Sequence, residues 1–164
     1  MSDSLTPQQQ LLLDQQWRML DARNQAGDHL DNKASIILQS GSLIIALVGV
    51  VALPSVIAQQ APTVQLVGLA FALLMFAGMI MCALLAWRPS DFSIPGATDW
   101  DAMYNDYVNE TLANAYAQVL SNIMNTTDKH AQRNRVKAKY VTWGAWLLVL
   151  QVAGILVIAV ASAL

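Results

Sequence analysis

The sequence predicts an all-α membrane protein with three transmembrane helices and a cytoplasmic helical stalk or hairpin. The first observation behind this is a set of three apolar stretches, at 34–53, 64–87 and 141–164, none of which contains Asp, Glu, Lys or Arg. At about 1.5 Å of rise per residue, roughly 20 residues cross a hydrocarbon core of about 30 Å. The second is composition: 55% of the 164 residues are hydrophobic and 12% charged, with a mean hydropathy of +0.42. Three helices apolar on every side cannot all be buried in one small water-soluble core.

The third observation is where the charges fall. Nine basic residues are present: Arg18, Arg23 and Lys33 before or at the edge of the first span, and Arg88, Lys129, Arg133, Arg135, Lys137 and Lys139 between the second and third. The connector 54–63 and the C-terminal end carry none. Because basic residues near span ends stay in the cytoplasm, the N-terminus and segment 88–140 are expected inside and the C-terminus outside. Trp87, Tyr140 and Trp143 then stand where interfacial aromatics belong.

Four segments follow: a cytoplasmic N-terminal helix at 1–33, a transmembrane hairpin at 34–87, a cytoplasmic helical insert at 88–140, and a third span at 141–164. Thr6-Pro7-Gln8-Gln9 reads as a helix start, with a threonine cap, proline at the first helical position and glutamine closing a capping box. Leu13, Trp17, Leu20 and Asn24 recur at spacings of four, three and four, one face of a packing helix. Gly27 is a weak breaker, so this helix can run on into the first span, which Pro54 is expected to end. Arg88-Pro89-Ser90 and Ser93-Ile94-Pro95-Gly96 predict a loop. Thr98 with Asp99 and Asp101 suits a new helix start, and Val108, Leu112, Ala115, Val119 and Ile123 form its apolar stripe. Asn125-Thr126-Thr127-Asp128 is expected to kink or break that helix before another leads into the third span.

Several function classes drop out. A net charge of −2 is the wrong sign for a nucleic-acid binder. The single cysteine, Cys82, lies within a span and supports neither an internal disulfide nor a metal motif. No signal peptide is expected, since the first 33 residues carry charges of both signs and no short apolar core. With only His29 and His130, and no nucleophile elbow, phosphate loop or metal spacing, the chain is expected to be no enzyme and to need no metal or cofactor.

Three polar features remain. Asp28 and Asp31, three apart in the collar before the first span, share a helix face. They end the helix as a polar collar, or pair with the basic segment before the third span as a gate. Lys129, Arg133 and Lys137 form a row at four-residue spacing, with Arg135 and Lys139 beside it. Like charges so placed repel by a few tenths of a kcal/mol per pair unless an anion sits on them. That anion is a lipid headgroup or the phosphate of a small molecule, to which Arg23, Asn24 and Asn134 add donors if the two stalk helices are neighbours. Gln39, Ser42 and Gln151 are polar groups within spans. They serve packing inside the chain or line a polar seam between copies in a homo-oligomer, where interhelical amide bonds contribute about 0.6–2 kcal/mol. Without intramembrane charge, proton-relay transport has little support.

The run Asp31-Asn32-Lys33-Ala34-Ser35-Ile36-Ile37-Leu38, with Arg23 upstream, resembles the D-x-K-A-S opening and apolar helix of Pycsar transmembrane effectors. The order of elements is similar too: an N-terminal helix, two close spans, a helical insert ending in a basic run, and a last span. The resemblance implies a bacterial anti-phage effector of the inner membrane. In that setting a partner pyrimidine cyclase makes cyclic UMP or cyclic CMP on infection, and the effector impairs the membrane in an abortive response. These 164 residues leave no room for a compact nucleotide-binding domain. Direct sensing would therefore fall to the stalk, with Arg23, Lys33, Lys129, Arg133, Arg135 and Lys137 as the phosphate candidates. The rival readings are a non-catalytic oligomeric membrane scaffold and a small constitutive channel.

Overall fold

The computed structural model describes residues 4–58, 62–88, 101, 104 and 110–163, those at 51–56, 157–158 and 160–163 by their backbone alone. Three helices account for nearly all of them: α1 at Pro7–Ile57, α2 at Thr63–Trp87 and α3 at Leu112–Ala163. Each contains a segment long and apolar enough to cross a membrane. No strand occurs among the described residues.

The start of α1 is the expected capping box. The Thr6 amide donates to Gln9 Oε1 at 2.9 Å, and the Gln9 amide donates to Thr6 Oγ1 at 3.3 Å. The helix then passes Gly27 without interruption and becomes the first span. It also passes Pro54, which was expected to end it, and stops at Ile57. A proline this close to a C-terminus withholds one amide donor, and only three further residues need continue the helix. The last residue of α2 is followed by Arg88 in an extended conformation (φ −48°, ψ 123°). Proline at 89 disfavours helical geometry in the residue before it.

The break expected in α3 does not occur. Asn125-Thr126-Thr127-Asp128 lies within one unbroken 52-residue helix. Thr126 and Thr127 are buried, and Thr127 Oγ1 donates to the Ile123 carbonyl at 2.8 Å. A threonine hydroxyl that bonds back one turn is satisfied inside the helix, so it does not compete for a turn. Thr98, Asp99 and Val108, proposed for the start of this insert, lie outside the described residues.

The chain divides into two compact units: residues 1–28 with 89–135, and residues 29–88 with 136–164. The first contains the early parts of α1 and α3. Leu20 and Ile123 are its buried apolar residues. Of the predicted α1 stripe, Leu20 is buried, whereas Trp17 is 45% exposed. Asn134 Nδ2 donates to the Arg23 carbonyl at 2.7 Å. Gly27 permits this approach, because a Cβ there would lie 3.1 Å from Asn134 Oδ1.

The second unit is a three-helix bundle. Trp87 meets Asp31, Cys82 and Ile37 both approach Gly144, and Met79 meets Gly41. Farther along, Leu147 meets Gly78 and Phe71 meets Gly154. These contacts make α2 antiparallel to α1 and α3, which run parallel. The buried face of α2 is Gly68, Ala72, Met79, Ala83 and Ala86, a helical stripe of mostly small residues. Small residues let helix backbones approach, which matters in lipid because association there rests on contact rather than on water exclusion. The large apolar side chains instead face out: Leu43, Leu47, Leu74, Leu84 and Trp143 are all more than half exposed. Such a surface would drive association in water but is at home in hydrocarbon. This is the pattern of a membrane bundle.

Candidate functional site

At one end of the bundle, the collar of α1 meets the basic run of α3. Lys137 Nζ donates to both carboxylate oxygens of Asp31 at 2.6 Å. The lysine side chain is 8% exposed and the aspartate side chain 38%. The burial is set by residue spacing: Lys137 occurs one turn before Val141 on the helix face that enters the bundle, and Asp31 three residues before buried Ala34. Trp87, the last residue of α2, donates from Nε1 to the Asp31 carbonyl at a long 3.4 Å. One residue therefore ties all three helices together. A half-buried, bidentate pair is stronger than an exposed one, since screening is weaker where water is scarce.

Lys33, two residues on, is exposed. No carboxylate pairs with it among the described residues. It lines a groove between α1 and α3 with a volume of about 500 Å³. Asp28 belongs to the other unit and is exposed.

In the first unit, Arg23 is exposed and contributes its carbonyl to Asn134. Lys129 and Arg135 are exposed on α3, while Arg133 is half-buried. No acidic partner pairs with these three among the described residues. The row at 129, 133 and 137 is thus uneven: its last member is neutralised by Asp31, and the earlier two have no acidic partner among the described residues. Tyr116 adds a buried hydroxyl without a partner among the described residues. Sequence reasoning did not single it out, since a lone tyrosine in a helix gives no signal. Trp87 was read as an interfacial aromatic only, and its bond to Asp31 needs α1 and α2 in register.

The three candidate seam residues differ in burial and bonding. Gln39 is exposed and donates from Nε2 to Ser35 Oγ at 3.2 Å. Ser42 is exposed and donates to the Leu38 carbonyl at 2.8 Å. Gln151 is completely buried, and both its amide nitrogen and oxygen lack partners among the described residues. It lies one turn beyond Leu147 and three residues before Gly154, the two places where α3 presses on α2. No group of three or more His, Cys, Asp or Glu able to hold a metal is found among the described residues.

Sequence comparison decides the family. A family model described as the Pycsar effector protein domain matches residues 15–164. The chain belongs to the Pycsar effector family. The match takes in all three helices, the collar and the basic run. It makes the chain a Pycsar anti-phage effector carried by membrane-crossing helices, and implies a functional link to a cyclase. The chain matches no curated protein, and it matches no solved structure.

Proposed function

We propose that this Pycsar effector is a non-enzymatic inner-membrane protein that impairs the membrane when a partner cyclase supplies cyclic UMP or cyclic CMP. The observation that supports this reading is the family match across 15–164 together with three helices of membrane-crossing length. The proposed orientation has the N-terminus in the cytoplasm and the C-terminus outside. In the second unit, Lys33, Arg88, Lys137 and Lys139 all cluster at the end of the bundle where Asp31 meets Trp87, in keeping with one cytoplasmic face.

The trigger is proposed to act on the first unit. Lys129, Arg133 and Arg135, with Arg23 from α1, are the cations offered to the nucleotide phosphate. A ligand changes an equilibrium only by binding one arrangement better than another. Neutralising the basic row relieves its self-repulsion and favours closer packing of α1 and α3 there. Both helices run unbroken into the bundle, where the Asp31–Lys137 pair holds the closed arrangement. Breaking or re-registering that pair lets the small-residue faces repack, singly or in a homo-oligomer, into a leaky seam.

Dye leakage from liposomes carrying the purified chain, titrated with cyclic UMP, cyclic CMP and cyclic AMP, tests the proposal. Leakage selective for a pyrimidine nucleotide is expected. Leakage independent of any nucleotide would instead favour a constitutive channel. Silence towards all three would favour a scaffold or a separate sensor.

A further inference from the structure

The groove between α1 and α3 has a composition that selects its occupant. Its walls are apolar, formed by Ile37 of α1 and by Ala145, Trp146 and Val149 of α3 among others. Thr142 is the other polar residue in the lining, and its hydroxyl already donates to the Ala138 carbonyl at 2.9 Å. That leaves the Lys33 ammonium as the one charged group on the lining. It stands at the edge of the membrane-crossing part of α1, immediately before the uncharged stretch 34–53, where a headgroup phosphate would lie. The apolar wall on α3 extends about 12 Å from Val141 to Val149, away from that end and into the bilayer.

The charge of Lys33 is available for a specific reason. Asp31, the nearest acid in sequence, has both carboxylate oxygens engaged by Lys137. The pair that joins α1 to α3 thereby leaves the neighbouring cation, at the mouth of the groove, without a carboxylate partner among the described residues. A second groove, between α1 and α2, provides a contrast. It is larger, about 800 Å³, and is lined by residues such as Ile45, Ala46, Gly49, Leu69 and Leu73 with no charged or polar side chain. Both grooves suit an acyl chain, but only the first offers a counter-ion for a headgroup. Basic pockets between transmembrane helices are known to take anionic lipid headgroups.

We propose that the Lys33 groove is a binding site for an anionic phospholipid, with its phosphate on the Lys33 ammonium and one acyl chain along Ile37, Ala145 and Val149 against the Trp146 indole. Trp146 is 60% exposed, so the lipid covers a surface the protein itself leaves open. The site stands independently of the nucleotide trigger. It would anchor the α1–α3 contact to the lipid composition of the membrane.

The test uses the full-length chain in liposomes, with tryptophan fluorescence quenched by brominated phosphatidylglycerol or brominated phosphatidylcholine at equal mole fraction. Trp146→Phe identifies the part of the signal that arises in the groove. Roughly fivefold preference of that component for phosphatidylglycerol is expected, the factor one lysine contributes near an anionic lipid. Lys33→Gln abolishes the preference and Lys33→Arg keeps it, while circular dichroism reports the same helix content in both. Equal quenching by the two lipids overturns the proposal, as does a preference that survives Lys33→Gln. Loss of the preference on adding millimolar inorganic phosphate or cyclic UMP would assign Lys33 to a soluble anion and overturn it as well. Protection of Trp146 from both lipids would place a second copy in the groove, with the same consequence.

Discussion

Lys137 of α3 holds both carboxylate oxygens of Asp31 of α1 at 2.6 Å, and it does so while almost wholly buried. The two residues are 106 apart in the chain, so their meeting depends on the parallel packing of two distant helices. The Trp87 indole joins α2 to the same aspartate through its carbonyl.

Removing one partner strands the other. Asp31→Asn is expected to destabilise the bundle by about 1.5–3 kcal/mol, the range for a lost hydrogen bond to a charged group. Lys137→Met should cost less, because it leaves the better-solvated aspartate and fills the space with an apolar chain. Thermal unfolding in detergent micelles checks both. A double-mutant cycle with a coupling energy near zero would show that the pair contributes nothing. If the pair also holds the closed arrangement, both variants should leak dye without nucleotide.

Gln151 carries an unpaid desolvation cost, since neither amide atom has a partner among the described residues. Gln151→Leu keeps the approximate volume and removes the polar atoms. It is expected to raise stability by on the order of 1 kcal/mol. A fall in melting temperature would reveal that the amide is bonded in the working assembly, as between copies of the chain. A variant that is more stable yet inactive would mark Gln151 as a group kept for the open state.

Gly154 is a packing constraint of a different kind. A Cβ at this position would lie 2.7 Å from two ring atoms of Phe71. Gly154→Val should therefore force the α2–α3 contact apart, with a loss of about 1–3 kcal/mol. Combining it with Phe71→Ala, which vacates the same space, should recover part of that loss. Additive losses in the double variant would show that the two positions do not touch.

The basic row is the proposed phosphate site, and its members differ in what they can lose. Lys129→Gln, Arg133→Gln and Arg135→Gln together should abolish nucleotide-dependent leakage while leaving helix content unchanged. Removing the like-charge pair Lys129 and Arg133, one turn apart, should, if anything, add a few tenths of a kcal/mol of stability. Full retention of the response in the triple variant would remove these residues from the sensing site.

The capping box is exposed and local, so its effect should be local too. Thr6→Ala is expected to cost about 1 kcal/mol of helix stability at the start of α1. Hydrogen exchange should quicken over the first turns and stay unchanged beyond Leu20.

Much of this molecule was legible before any coordinates. The three spans follow from length and from the absence of charge, because a bilayer penalises every unpaired ion irrespective of its neighbours. The N-terminal cap was legible because its partners are three residues apart. The collar motif at 31–38 and the order of elements pointed to the family for which the comparison found a match.

Local reasoning failed where burial and packing changed the balance. The Asn125–Asp128 run has low helix propensity, yet burial of Thr126 and Thr127 and the back-bond to Ile123 carry the helix through it. The row of cations looked uniform in sequence, with nothing to distinguish Lys129 from Lys137. Tertiary packing divided it, because the Asp31 carboxylate reaches only the last of them. It also decided that Gln151 is buried and unpaired while Gln39 and Ser42 face outward with bonds inside their own helix. Periodicity and hydropathy determine which segments enter the membrane, since each residue's transfer energy is its own. Which polar group meets which is a property of pairs, and pairs exist only once the helices have chosen their register.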